Sequence, residues 1–192
     1  MLKLGLDPSI SQWQVACFAA DCDLVFFDKV EPGDRNPLEV IWASRNGETQ
    51  LHFIDDPLID LSYLALVGVE AEQISDRALE SSSAVTLCNA LGRVESDEDE
   101  NERLHTASLL GVLAPVQYEP AVFEAFQKLF ASPSAAVRRR AVMAASYPAW
   151  PEFQPLLKQL SLTEADPEVR ERAKAALKAF ELHGIAGSGQ PN

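Results

Sequence analysis

The chain has 192 residues, of which 47% are hydrophobic and 23% are charged, and this length suffices for one sizeable core or two small ones. No apolar run approaches the roughly 20 residues that a membrane span requires. The N-terminal sequence MLKLGLDPSISQ lacks the apolar core of a signal peptide. We therefore expect a globular, cytoplasmic protein with no membrane partner.

The net charge of −13 is unevenly distributed along the chain. Residues 1–68 carry 4 basic and 11 acidic groups, residues 69–133 carry 4 and 12, and residues 134–192 carry 8 and 6. An acidic body repels phosphate backbones, so we expect no nucleic-acid partner. The same charge suits the capture of a basic protein, because opposite charge accelerates encounter.

The first 30 residues are weakly patterned. A short helix could open at Asp7–Ser9 and run through Ala20, or Trp13–Ala19 could be a strand that pairs with Leu24–Phe27. We favour the strand, because the four residues between these two segments have the composition of a turn.

A β-hairpin is the clearest signal of the N-terminal third. Strands predicted at Leu38–Ala43 and Thr49–Ile54 flank an Asn-Gly dipeptide, the strongest short-range hairpin signal. Leu61–Gly68 predicts a third strand. We therefore expect residues 1–68 to form a small antiparallel sheet that docks on the helical remainder.

The middle of the chain reads as helices separated by polar segments. The acidic stretch at 95–101 has no apolar anchor and predicts a mobile loop. Helical spacing of apolar residues predicts helices at Glu70–Ser81, Ala84–Leu91, Glu102–Leu113 and Ala121–Phe130.

The region from Ser132 onward contains a repeat. A Val-Arg-x-Arg-Ala core begins at Val137 and recurs 32 residues later at Val169. Both segments place small apolar residues on one helical stripe, and Glu152–Leu160 predicts a partner helix with larger apolar residues. Self-similarity at such a period is typical of repeat architectures, in which one unit cannot bury its apolar face alone.

These residues resemble the HEAT-repeat family, in the short prokaryotic form often called phycobilisome-lyase HEAT-like. The resemblance covers roughly residues 100–182. It implies a mainly α fold, in which a right-handed array of helix pairs forms an α-α superhelix. It also implies that Arg138 and Arg170 brace neighbouring repeats against an acid of the turn, for which Asp166 is the candidate. The matching motifs are Ser132-Pro133-x-x-x-Val137-Arg138-x-x-Ala141 and Asp166-Pro167-x-Val169-Arg170-x-x-Ala173.

These patterns predict three parts of the chain. A β-rich segment spans residues 1–68, a HEAT-like helical array spans residues 69–183, and a small polar tail at 184–192 is expected to be flexible.

Chemistry-bearing motifs are sparse. Cys17, Cys22 and Cys88 leave an odd cysteine and fit ordinary reduced thiols better than a zinc site. No Gly-rich phosphate loop, G-x-S-x-G or H-E-x-x-H motif occurs. Asp55 and Asp56 precede a proline and fit a turn better than acid–base work. We expect no catalytic residue, cofactor or metal, and lean against an enzyme.

Two further features have competing interpretations. The Arg138–Arg140 cluster could bind phosphate, but side chains about 100° apart on a helix do not form one stripe, which favours bracing and solvated charge. Trp150 stands between two repeat helices, where packing across the turn is favoured over a binding anchor.

We expect a non-enzymatic adaptor or scaffold that binds another protein through the second helices of its repeats, and the acidity of the chain favours a basic partner. Narrower alternatives are an immunity or antitoxin-like inhibitor of a toxin, and a bilin lyase-type subunit that handles a chromophore. Trp42 on the hairpin could be a core residue or an exposed binding anchor. The candidate partner-binding residues are Glu124, Gln127, Lys128, Gln154, Lys158 and Trp42.

Overall fold

A computed structural model describes residues 1–33, 36–81, 83–95 and 99–185. The chain divides into two compact units, the sheet unit Met1–Asn89 and the helical unit from Ala90 onward. Most of the tail expected at 184–192, and residues 96–98 of the expected acidic loop, lie outside the described residues. Within the described ranges, no helix combines the length and the apolar character needed to cross a membrane.

The sheet unit is built on a six-stranded sheet in the order β2-β3-β4-β5-β1-β6, within the described residues. Every neighbouring pair of strands is antiparallel. The strands are β1 (Leu2–Leu6), β2 (Val25–Val30), β3 (Leu38–Ala43), β4 (Thr49–Asp56), β5 (Leu61–Gly68) and β6 (Ala84–Val85).

The predicted hairpin is confirmed as β3 and β4. Gly47 adopts φ 74°, the left-handed conformation that a tight turn of this kind requires. The Ser44 amide donates to the Thr49 carbonyl at 2.9 Å, which closes the loop. The third strand, β5, has the predicted bounds.

The strand favoured at Trp13–Ala19 is wrong. Helix α1 (Gln12–Asp21) occupies this position, and the predicted partner strand pairs with β3 instead. The helix begins with a capping box, because the Ser11 hydroxyl accepts from the Gln14 amide while the Gln14 side chain accepts from the Ser11 amide. This reciprocal cap satisfies amide groups that would otherwise lack partners.

The sheet unit extends past the boundary predicted at residue 68. Helix α2 (Ala71–Glu80) belongs to it, because Ala71, Ile74 and Ala78 pack into the sheet core beside residues of α1. Helix α3 (Leu87–Arg93) crosses the division between the two units. The helical array therefore begins later than the sequence indicates.

The helical unit forms two layers of helices. In the first, α4 (Glu100–Leu113), α6 (Ala135–Ala144) and α8 (Pro167–Leu182) pack side by side in chain order. In the second, α5 (Pro120–Phe130) packs on α6, and α7 (Gln154–Thr163) packs chiefly on α8. A 3₁₀ turn at Pro151–Phe153 leads into α7.

Small residues let the first-layer helices approach closely. A Cβ added to Gly111 of α4 would lie 2.6 Å from the Ala144 carbonyl oxygen and 2.8 Å from the Ala144 Cβ of α6. Ala141 on α6 and Ala173 on α8 are fully buried in the same layer. The helical repeat and the antiparallel sheet are thus confirmed, whereas the superhelix stays a prediction.

Candidate functional site

Arg138 makes polar contacts both with the start of its own helix and with the turn before α8. Its Nε and Nη2 each donate to the Glu164 carboxylate at 2.8 Å, a bidentate ion pair between α6 and the turn before α8. Its Nη1 donates to the carbonyl oxygens of Ser132 at 2.8 Å and Pro133 at 3.1 Å. One guanidinium thus fastens the start of its own helix to the start of the next repeat.

Arg170 repeats half of this arrangement 32 residues later. Its Nη1 donates to the carbonyl oxygens of Glu164 at 2.6 Å and Ala165 at 3.5 Å. These are the carbonyls six and five residues before the arginine, as they are for Arg138. The sequence repeat is therefore also a repeat of side-chain geometry.

The carboxylate that pairs with Arg138 belongs to Glu164. The expectation that Asp166 takes this role is therefore wrong. Asp166 is the N-cap of α8, where its carboxylate accepts from the amides of Glu168 and Val169. Glu164 and Asp166 are both acids of the same turn, so the expectation of an acid in the turn could not distinguish between them. The preference of aspartate for the N-cap would have done so.

The ion pair changes the acidity of both partners. Hydrogen bonds from Arg138 lower the pKa of Glu164 from its ordinary 4.5 to about 2, with further help from the Asp166 amide. The same hydrogen bonds raise the pKa of Arg138. The Glu164 side chain is only 7% exposed, so its charge is held within the turn.

The three consecutive arginines diverge, as the helical geometry predicts. Arg139 pairs with Glu168 on α8, while Arg140 Nη1 donates to the buried Ser108 hydroxyl on α4 at 2.8 Å. With Arg138 on Glu164, each guanidinium has a different protein partner. The cluster is bracing, which agrees with the interpretation favoured from the sequence.

An aromatic cluster joins α5 to the 3₁₀ turn that leads into α7. Trp150 is 2% exposed and stacks on Phe153 with ring centroids 5.5 Å apart. Phe153 in turn meets Phe126 of α5 at 5.0 Å. The Trp150 Nε1 donates to the carbonyl oxygens of Pro115 and Val116 after α4. Packing across the turn is therefore the role of Trp150.

The outer faces of α5 and α7 carry the predicted partner-binding residues of the helices. Glu124, Gln127 and Lys128 are exposed on α5, and Lys158 is exposed on α7. Lys128 forms an ion pair with Glu95. Gln154 at the start of α7 is half-buried, and its amide donates to the Ile185 carbonyl.

Comparison with known families identifies the repeats. The family model described as HEAT repeats matches residues 86–178. This segment consists of HEAT repeats. The match begins one helix before the range expected from the sequence, since it includes α3. No curated protein and no solved structure matches the chain. HEAT repeats generally mediate protein–protein interaction.

Trp42 lies outside the HEAT segment and is not a binding anchor. It is 5% exposed and belongs to the core of the sheet unit, between the sheet and the two helices that cover it. Its strand alternates inward and outward residues, and Trp42 falls on the inward set together with Val40. The core interpretation is the one that fits.

Polar groups of the sheet unit make structural contacts with one another. His52 Nδ1 lies 2.7 Å from Glu39 Oε1, and Nε2 lies 3.2 Å from Gln50 Oε1, so both ring nitrogens are engaged. Asp56 accepts from the Leu58 amide at 3.0 Å in the turn after β4. The described residues contain no group of three His, Cys, Asp or Glu placed to hold a metal ion.

The sheet unit also contains an open cavity of about 260 Å³. Its lining combines apolar residues with a few polar ones, including Val15, Phe18, Asp21 and Ala78. A second open pocket of about 630 Å³ in the same unit has a more polar lining, which includes Asp23, Arg45, Asn46 and Arg77.

Proposed function

We propose that the HEAT segment is a non-enzymatic protein-binding module that acts as an adaptor or scaffold. Its helix pairs would wind as a right-handed α-α superhelix and present the outer faces of α5 and α7 to a partner. The family supports this class of function, because HEAT repeats generally mediate protein–protein interaction.

One observation carries the choice of face. The first-layer helices use their small residues to pack on one another, α5 contributes Phe126 to the aromatic cluster, and α7 packs chiefly on α8. What remains accessible on the second layer is a mainly polar surface, to which α7 adds the exposed Leu162. Such surfaces suit specific recognition, since little ordering is needed on binding.

Tyr118 is the anchor that we add to this face. Its side chain is 42% exposed, although its ring meets Trp150 at 5.4 Å and Phe123 at 5.6 Å. A tyrosine held by rigid neighbours loses little conformational entropy when it is covered, and tyrosine is enriched among binding hot spots. It lies in the loop that leads into α5.

The charge of the partner is a separate question from the face. The acidic excess resides in residues 1–133, whereas the α5 and α7 residues include two lysines. A basic partner would be steered by the acidic excess during encounter, and this effect weakens with salt. We infer a basic partner from that excess.

The test compares two matched variants in affinity capture from native lysate. Glu124→Lys/Gln127→Lys adds positive charge to the proposed face, and Glu72→Lys/Gln73→Lys makes the same charge change at exposed positions of the sheet unit. We expect the control variant to recover at least one protein in an amount about tenfold greater than the face variant does. Purified partner and chain should then bind directly, with weaker binding at about 0.5 M salt if the partner is basic.

The proposal fails if both variants recover the same proteins in the same amounts. Turnover of a small molecule without any recovered partner would likewise replace it with an enzymatic function. The narrower hypotheses, a toxin inhibitor and a bilin-handling subunit, stay predictions. An absorbance shift on adding a bilin tests the second. The cytoplasmic location also stays a prediction.

A further inference from the structure

The guanidinium of Arg170 is held on one side and open on the other. Nη1 donates to the carbonyl oxygens of Glu164 and Ala165, which fixes the plane of the group. Within the described ranges, no hydrogen bond or ion pair reaches its Nε or Nη2. These two nitrogens form the edge that matches a carboxylate in bidentate geometry.

Arg138 shows which chemical group binds this edge of a guanidinium. Its Nη1 is held by the corresponding carbonyls, and its Nε and Nη2 each lie 2.8 Å from a Glu164 carboxylate oxygen. Glu164 comes from the turn that precedes the next helix of the layer. At Arg138 a carboxylate thus occupies the edge formed by Nε and Nη2, whereas at Arg170 no carboxylate of the described residues binds the corresponding edge.

The charge around Arg170 is mixed, because Glu171 lies within electrostatic range of its guanidinium. Helix α8 carries four basic and three acidic side chains, in contrast to the acidic excess of residues 1–133. Lys174 pairs with Glu171 on this helix, which leaves Arg172 and Lys178 as further cations near the surface. Local charge decides at contact distance, because salt screens the rest of the chain beyond about 8 Å.

The outward side of α8 is polar, which disfavours the packing of another apolar helix on it. Val142 of α6 is buried, and the residue 32 positions later on α8 is the exposed Lys174. An outer face with charged residues is typical of the last helix of a repeat array. A partner at this end therefore binds through polar contacts.

We propose that Arg170 is a preformed docking position for a glutamate or aspartate in a turn of a partner protein. The carboxylate would bind Nε and Nη2 as Glu164 binds those of Arg138. The proposal shares with the proposed function only the premise of a protein partner. It concerns α8, so variants of the α5 and α7 face test one idea and Arg170 variants test the other.

The test is an NMR titration of the full ¹⁵N-labelled chain, following the arginine Nε–H signals. The probe is a capped peptide with the sequence of residues 161–165, in which the glutamate that fills the Arg138 position is the single carboxylate. We expect a saturable shift of the Arg170 signal, and about tenfold weaker binding when the peptide glutamate is replaced by glutamine. The Arg138 signal should stay unchanged, because its carboxylate position is filled.

Two variants localise the effect. Arg170→Lys should abolish the response, because lysine lacks the planar pair of donors, and Arg172→Lys should preserve it. An equal shift at Arg172, or no preference for glutamate over glutamine, would overturn the proposal without any variant. A shift of the Arg170 signal with protein concentration alone would assign the position to a second copy of the chain, and would also overturn it.

Discussion

Arg138 reaches across 26 residues of sequence to grip both oxygens of the Glu164 carboxylate. The same carboxylate accepts the amide of Asp166, the residue that caps α8. One glutamate therefore connects the side chain of α6 with the start of α8. The two helices are joined through this turn as well as through their packed faces.

Removing the arginine should destabilise the helical unit. Arg138→Ala leaves a nearly buried carboxylate without its partner, and we expect a loss of about 3 kcal/mol in the free energy of unfolding. Arg139→Ala is the matched control, since its pair with Glu168 is exposed and should cost about 0.5 kcal/mol or less. Hydrogen exchange of α6 and α8 amides measures both. Equal losses would show that the Arg138–Glu164 pair contributes no more to the free energy of unfolding than an exposed ion pair does.

Acid should remove the contribution of the same ion pair. Because the folded-state pKa of Glu164 is about 2 and its ordinary value is 4.5, the stabilisation is present above 4.5 and lost as the pH falls towards 2. The difference in melting temperature between wild type and Glu164→Gln should therefore shrink over this window. Thermal unfolding between about pH 6 and pH 2 tests it. In an Arg138→Ala background, the change in melting temperature that Glu164→Gln causes should depend much less on pH.

Gly111 should not tolerate a methyl group. Alanine would gain helix propensity, but its Cβ would press against the backbone of Ala144, and we expect a net loss of about 1–3 kcal/mol. Gly92→Ala is the control, because nothing lies within 4 Å of the added Cβ and a helical glycine is being replaced. Urea unfolding followed by circular dichroism compares the two. A neutral Gly111→Ala would mean that α4 and α6 can separate at little cost.

Trp150 should stabilise the helical unit through its ring and its indole nitrogen. Trp150→Phe keeps a ring beside Phe153 but leaves the carbonyls of Pro115 and Val116 without this donor, and we expect a loss of about 2 kcal/mol. Trp13→Phe is the control at a site 75% exposed, with an expected change within about 0.5 kcal/mol. Circular dichroism is the suitable readout, because tryptophan fluorescence changes with either substitution.

Local signals in the sequence were reliable where one short-range requirement decides the structure. The β3–β4 hairpin depends on an Asn-Gly turn, and α8 depends on a helical stripe behind an Asp-Pro start. Each of these can be read within a dozen residues. The repeat was visible for the same reason, since the 32-residue period carries both the fold and the arginine geometry.

Signals failed where two local structures were closely balanced. The segment at 13–19 has apolar residues that suit a strand, and only the reciprocal contacts of Ser11 and Gln14 select the helix. That capping pattern was present in the sequence but was outweighed by the turn-like residues after it. Recognition of the cap would have corrected the prediction.

Other features depended on contacts between distant residues. The pattern of α2 predicts a helix, but nothing within it says that Ile74 packs on a sheet rather than on another helix. The burial of Trp42 likewise depends on which face of the hairpin is covered. For the candidate binding surface, helical spacing placed Gln127 and Lys158 outward, whereas the pairing of Glu164 with Arg138 required the folded turn.

The 32-residue unit carries both halves of its own joint, an arginine near the beginning and a glutamate near the end. An in-frame duplication of residues 134–165 would set the new arginine below the carbonyls of Glu164 and Ala165, where Arg170 now sits. The new glutamate would then face the new arginine. Copying whole units would preserve the arginine–glutamate joint at each added junction, whereas Arg139 of the first copy would face Ala136 of the second rather than Glu168.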